Sequence, residues 1–434
     1  MNENKQVSGL RLDRSLELYE KAIQIIPGGS QTGSKRPDSY APGAFPIYLE
    51  KGKGCRVWDV DGNEYIDYIM ALGPVNLGYA YSRVNEAVKE QLEKATIINL
   101  LSPLEVELAE EVIKAVPCAE MVRFMKSGAE ATSACVRIAR AYTGREKVVH
   151  CGYHGWHDTF TASSANAKGV PKVLQGLIRS FSYNNLGSLE NILKKEGNEV
   201  ACIIMEPREI PASGFLEGVR ELADQYGALL IFDEIVTGFR LALGGAQEYF
   251  GVIPDLSAFA KGMSNGLPLS AFVGKREVME IAKDLLISST YGGEALSLAA
   301  GIATIRELKE KDVFWHTWKM GQKLMDGWVE IGNEFGLQLR ASGLAPIHAP
   351  QMDMGTPELT GDAWTFFLQE SAKRGVLFRR GGLNFISYSH KEEDIEYTLD
   401  VCRSVMKLMK EALQKGDLSC RLETHEIKPS FRQF

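Results

Sequence analysis

The stretch "ALLIFDEIVTGFR" (228–240) decides the fold reading. Leu229 to Phe232 form a short apolar run of the kind that makes a buried strand, and Asp233 and Glu234 follow it at once. No basic residue comes before Arg240. A buried carboxylate is costly without a partner, so the run asks which positive charge Asp233 meets.

The surrounding chain places this strand in an α/β domain. Further strands are expected at 121–126, 147–151, 201–206 and 270–274, with helical patterns at 104–116, 129–142 and 217–226 between them. Such alternation predicts a mainly parallel sheet. Ligands bind such sheets at the carboxyl ends of the strands, where Asp233 lies. A helix is expected at 14–26, stopped by "PGG", and a hairpin over 54–69 turning at Asp61-Gly62. After about residue 311 the texture changes to long helical patterns (311–335, 392–414) around short strands. The expected division is an N-terminal segment 1–70 that joins a small domain, a large domain 71–310 and a C-terminal small domain 311–434. The polar tail 415–434 is expected to be loosely held.

Composition narrows the function classes. The chain has 434 residues, 45% hydrophobic and 24% charged, and such a length needs no disulfide or metal staple. A net charge of −7 argues against wholesale binding to nucleic acid or to an anionic membrane. Seven scattered cysteines without a CxxC pair read as reduced thiols, so a cytoplasmic location is expected. The polar start shows no signal peptide, and no apolar run reaches membrane-spanning length.

An apolar strand ending in Asp-Glu could be the Walker B strand of a nucleotide hydrolase. That reading needs GxxxxGK[ST] elsewhere. "GGSQTGSK" (28–35) has Ser34 where the lysine should stand, and "VGKRE" (273–277) lacks the leading glycine. The other candidate charge is a protonated pyridine nitrogen, as in pyridoxal phosphate (PLP), which enzymes hold with a carboxylate. Such an enzyme needs an amine nucleophile. Lys261 offers one, after the apolar run Ala258–Ala260 and before Gly262. It needs a phosphate cradle: Ser127, Gly128 and Ala129 stand between a strand and a helix, where free N–H groups bind anions. It needs an aromatic face: Tyr153 and His154 follow the strand 147–151. "YHGWH" shows no third ligand at metal-binding spacing, so no metal is expected. Taken singly, Lys261 could be a surface lysine and Ser127 a plain helix cap. Together they fall in order: cradle, aromatic, Glu206, Asp233, Lys261.

In this order, and in "IIPGGS", "VWDVDGNEYIDY", "VRFMKSGAEA", "YHGWHD", "IIMEP", "LLIFDEIVTGFR", "AKGMSNGLPLSAFVGKREVME" and "STYGGEALSLAAG", the chain resembles the class III (omega-type) aminotransferases, most nearly the glutamate-1-semialdehyde 2,1-aminomutase group. The resemblance runs from about residue 18 to 410. It implies a fold type I PLP-dependent transferase: a large domain around a mainly parallel seven-stranded sheet, with a smaller α/β domain. It implies that Lys261 carries the cofactor and shuttles the proton, that Asp233 pairs with the ring nitrogen, and that Ile235 packs under the ring. Gly128 and Ala129 are then the phosphate donors, Glu206 lies by the cofactor oxygen, and Thr290 reaches the phosphate of the neighbouring subunit in a homodimer with shared active sites.

Departures from the aminomutases bear on substrate. Leu72 stands where they carry tryptophan, Gly382 where they carry glutamate, and Lys35 and Arg36 near their substrate-binding arginine. Arg208 and Glu209 replace small or apolar residues, Glu294 replaces asparagine, and Arg379 and Arg380 precede Gly382. Lys35, Arg36, Arg208, Arg379 and Arg380 are therefore the candidate substrate residues. The expected activity is ping-pong transfer of an amino group from a donor amine or amino acid to an aldehyde or ketone, with a sugar-like or acidic carbonyl as candidate acceptor. Glutamate-1-semialdehyde aminomutase is the alternative within enzymes, and a non-catalytic binding protein on the same fold is the alternative outside them.

Overall fold

The computed structural model describes residues 10–423. These divide into two compact units. One holds the described residues up to Leu72, Leu77–Tyr81 and those from Trp315 onward; the other holds Gly73–Asn76 and Ser82–Phe314.

The second unit is built on one seven-stranded sheet. Its strands are β1 (Met121–Met125), β2 (Lys147–Cys151), β3 (Ile178–Ser180), β4 (Val200–Met205), β5 (Leu229–Asp233), β6 (Leu256–Phe259) and β7 (Ser270–Gly274). Their order across the sheet is β1-β7-β6-β5-β4-β2-β3. Only β7 runs antiparallel to its neighbours β1 and β6; the other pairings are parallel. The expected fold class is therefore the observed one. Every residue of β4 and β5 is buried, as a parallel sheet covered on both faces requires. Alternate residues feed opposite layers. Ile204 and Ile231 join a cluster with Ala131, Cys135 and Ile138 of helix α1 (Gly128–Thr143), whereas Ile203 and Leu230 join one with Phe215, Val219 and Ala223 of helix α2 (Phe215–Tyr226).

Two strands of this sheet escaped the sequence reading. β6 is "LSAF", and Ser257 breaks its apolar run; its hydroxyl is buried and accepts a hydrogen bond from Gln247 Nε2 at 3.1 Å. β3 is a three-residue edge strand, too short to show a pattern.

The first unit contains the expected hairpin, Arg56–Asp59 paired with Glu64–Asp67, and Val376–Leu377 adds to it in parallel. Asp59 shapes the turn by accepting from the N–H groups of Asp61 and Asn63 at 3.0 and 2.8 Å. Helices Asp13–Ile25, Pro357–Lys373 and Glu392–Lys415 belong to this unit, whose core includes Tyr65, Trp328, Trp364 and Phe367. All seven cysteines are free, six of them buried. Among the described residues no helix is long and apolar enough to cross a membrane. The tail expectation falls largely outside the described residues, from 424 on.

Candidate active site

The carboxyl ends of five strands collect the candidate residues of the sheet unit. Asp233 ends β5 and is almost wholly buried. Its Oδ2 lies 2.8 Å from His154 Nδ1, and its Oδ1 accepts the Ile235 N–H at 3.1 Å. Of the two aromatic candidates after β2, His154 is thus the one turned to the carboxylate; its backbone carbonyl is fixed by the Thr132 hydroxyl at 2.6 Å, and its ring leans on Phe160. Tyr153 beside it is half-buried. The second carboxylate of the opening stretch has a different fate. Glu234 is buried and accepts from the N–H groups of Ala246 and Gln247 at 2.8 and 2.9 Å and from the Thr237 hydroxyl. Burial raises its pKa, against the pull of these hydrogen bonds, so it serves the loop and not the site.

After β1 the chain turns into α1. Ser127 caps this helix, and the Glu130 carboxylate answers by accepting the Ser127 N–H at 2.7 Å. Gly128 has ordinary helical backbone, but a Cβ there would stand 2.5 Å from Ile235 Cδ1. The glycine is needed because Ile235 packs against the turn. The N–H groups at this helix start, those of Gly128 and Ala129 among them, lie where an anion is favoured.

Glu206 follows β4, is buried, and pairs through Oε2 with Arg208 Nε at 3.1 Å. Gly152, after β2, leaves room for it: a Cβ there would stand 3.0 Å from Glu206 Cβ. Lys261 opens the short turn after β6 with φ of 37°, a left-handed conformation that non-glycine residues seldom adopt. Strain of about 1–3 kcal/mol at such a residue persists where the surroundings fix it, and it clusters at functional sites. Thr290 is exposed in the segment before the helix Ala295–Glu310.

The remaining substrate candidates lie in the other unit. Lys35 is exposed at the rim of a cavity of about 420 Å³ shared with Tyr40, Tyr48, Lys51 and Asp67. Burial raises the Asp67 pKa to about 6, partly offset by the Tyr79 hydroxyl and by the N–H groups of Ile69 and Met70. Arg36 lies over Gly28, whose Cβ would meet its guanidinium. Arg379 lies over Gly382, where a Cβ would stand 2.8 Å from its Nε, and its charge opposes the burial that raises Tyr40 to about 12. Arg380 turns the other way, toward Gly361. Leu72 ends a run of three left-handed non-glycine residues, Met70, Ala71 and Leu72, with φ of 45°, 54° and 73°. Asp67 anchors the start of that run by accepting the Ile69 and Met70 N–H groups.

Sequence reasoning missed Lys126 and Ser270. Lys126 pairs with Glu294 at 2.9 Å, and the Ser270 hydroxyl holds the Ser127 carbonyl at 2.8 Å. Both partners are distant in sequence, and only Glu294 had stood out as a departure.

Comparison with known proteins sets this geometry in context. The profile described as "Aminotransferase class-III" matches residues 39–400. A 3-aminobutyryl-CoA aminotransferase of Cloacimonas acidaminovorans is 37% identical over 93% of this chain and 99% of its own length. A glutamate-1-semialdehyde 2,1-aminomutase of Syntrophobacter fumaroxidans is 36% identical over 92% and 98%. Among solved structures, the PLP internal aldimine form of the Sphingopyxis sp. MTA144 FumI protein superimposes with a TM-score of 0.87 at 26% identity, covering 95% of this chain and 99% of that one.

Proposed function

The chain belongs to the class-III aminotransferases, enzymes that work with pyridoxal phosphate, and on that premise we propose that it moves an amino group between two separate substrates. The donor is an amine or amino acid and the acceptor an aldehyde or ketone, each meeting the enzyme in turn. The observation that carries this reading is the packing at Gly382. The Arg379 guanidinium lies where a side chain at 382 would begin, so in this reading a cation stands where the aminomutases would carry their glutamate. Leu72 adds no indole. Both departures favour release of the first product over retention of a diamino intermediate.

The residues suit the cofactor. The buried Asp233 carboxylate, oriented by His154 Nδ1, is the kind of partner a protonated ring nitrogen requires. The turn at Gly128, closed by Ile235 from one side, is a cradle that a Cβ would fill. The Gly128 and Ala129 N–H groups would hold the phosphate, Ile235 and Tyr153 would pack on the ring, and Lys261 would carry the cofactor. When bound, PLP supplies an electron sink for the carbon that loses a proton. The Lys261 amine would take that proton and return it at the neighbouring centre. Asp233 would keep the ring nitrogen protonated, and His154 would fix the carboxylate by donating to Oδ2. Arg208 would turn from Glu206 to an anionic group of the substrate, since a guanidinium binds carboxylates in bidentate fashion.

The name of the Cloacimonas relative suggests one donor class, amines β to an activated acyl group. The aminomutase names favour the second reading, exchange within one substrate. We also propose a homodimer with Thr290 serving the partner's phosphate, which sedimentation as an active monomer would contradict. Incubation of the PLP form with a β-amino acyl donor alone tests the main reading. The account expects loss of the visible absorbance and a pyridoxamine form that survives desalting; no half-reaction with any amine would refute it.

A further inference from the structure

The Lys126–Glu294 pair lies beside the phosphate cradle but is not part of it. Lys126 immediately precedes Ser127. Its Nζ lies 2.9 Å from Glu294 Oε2, and both side chains are mostly buried, at 17% and 16% exposure. Glu294 is anchored on its own side: as N-cap of the helix Ala295–Glu310 it accepts the N–H groups of Leu296 and Ser297 at 2.8 and 3.2 Å and the Ser297 hydroxyl at 2.6 Å. The segment leading to it lies on the end of β1, where a Cβ at Gly292 would stand 3.0 Å from the Phe124 carbonyl oxygen. That segment contains Thr290.

The cradle is therefore held from three directions. Glu130 takes the N–H groups of Lys126 and Ser127, at 3.1 and 2.7 Å. Ser270 takes the Ser127 carbonyl. Lys126 ties the whole turn to a second helix start. An ion pair this far from solvent costs desolvation that only good geometry repays, and losing one partner leaves the other uncompensated. Such a pair is better suited to fixing positions than to adding stability.

We propose that Lys126 and Glu294 are positioning residues for the cofactor phosphate: their pair locks the Ser127–Ala129 turn to the segment carrying Thr290 and so sets how tightly the phosphate is held. Lys126 does not itself bind the phosphate, because its ammonium is committed to Glu294. The inference rests on the reading that the phosphate sits at the start of α1.

The test is titration of the cofactor-free protein with pyridoxal phosphate and, separately, with pyridoxal, which lacks the phosphate. Glu294→Gln keeps an acceptor for the helix cap but removes the charge. Lys126→Met removes the cation, and Lys126→Arg keeps it. Glu294→Gln and Lys126→Met should each weaken pyridoxal phosphate about tenfold, with pyridoxal changed less than twofold. The double variant should be no weaker than either single one, and Lys126→Arg should bind almost as the parent does. Tighter binding by Glu294→Gln would overturn the proposal, because it would mean that Glu294 competes with the phosphate for Lys126. Equal weakening of both ligands would overturn it in favour of a general structural role. Failure of the parent to prefer pyridoxal phosphate over pyridoxal would instead refute the cradle reading beneath it.

Discussion

Gly128→Ala isolates one contact of the cradle. Gly128 lies in the first turn of α1 with φ outside the left-handed region, so alanine can adopt its backbone without strain. The obstacle is Ile235. The added Cβ would stand 2.5 Å from Ile235 Cδ1, 3.0 Å from Cγ1 and 3.3 Å from Cγ2. A rotation about the outer bond clears only Cδ1, so the isoleucine or the turn must move. Overpacking of this kind costs about 1–3 kcal/mol. If the shift falls on the turn, the loss appears in cofactor affinity as about 5- to 150-fold. Titration of the cofactor-free protein with PLP, followed by visible absorbance, measures it. Ile235→Ala removes all three offending atoms, so the pair Gly128→Ala with Ile235→Ala should bind more tightly than the sum of the single losses predicts. Unchanged affinity in Gly128→Ala, or strict additivity in the pair, would refute the steric argument.

Lys261→Ala should fold with an unchanged circular dichroism spectrum yet lose the cofactor that borohydride otherwise fixes to the protein; a covalent adduct in that variant would remove Lys261 from its role. Mild acid should weaken the fold. Burial lowers His150, His348 and His390 from 6.5 to about 4, so each stays neutral in the fold, and its stabilisation is full above pH 6.5 and lost as pH falls toward 4. Between pH 7 and 5 each costs on the order of 2 kcal/mol, while Asp67, raised to about 6, returns on the order of 1 kcal/mol, so the sum is a loss of a few kcal/mol. Chemical denaturation at the two pH values measures this, and equal or greater stability at pH 5 would contradict it.

The sheet was legible because its strands are short apolar runs with polar residues at their carboxyl ends. β5 is the clearest, since four apolar residues run straight into two carboxylates. β6 was hidden by one serine, whose buried hydroxyl accepts from Gln247 and from the Cys118 thiol. The local parts of the candidate site were legible for a similar reason: a cap, a glycine and a helix start are neighbours in sequence. The pairings were not. Nothing in the chain order says that His154 meets Asp233, 79 residues away, or that Lys126 meets Glu294, 168 residues away. Long-range polar pairs leave no periodicity. The separate fates of Asp233 and Glu234 were equally hidden, because adjacent side chains on a strand end face opposite ways and only the fold shows which way is the site.

Two-substrate transfer is the central claim, and glutamate 1-semialdehyde supplied alone tests it most directly. The PLP and pyridoxamine forms of the enzyme would each be incubated with it, without any added amino donor, and 5-aminolevulinate would be measured over many turnovers. With Arg379 over Gly382 and no indole on Leu72, the account predicts that 5-aminolevulinate forms only slowly, by way of diamine released into solution. Rapid, sustained conversion would show that the enzyme exchanges nitrogen within one substrate, and would contradict the account.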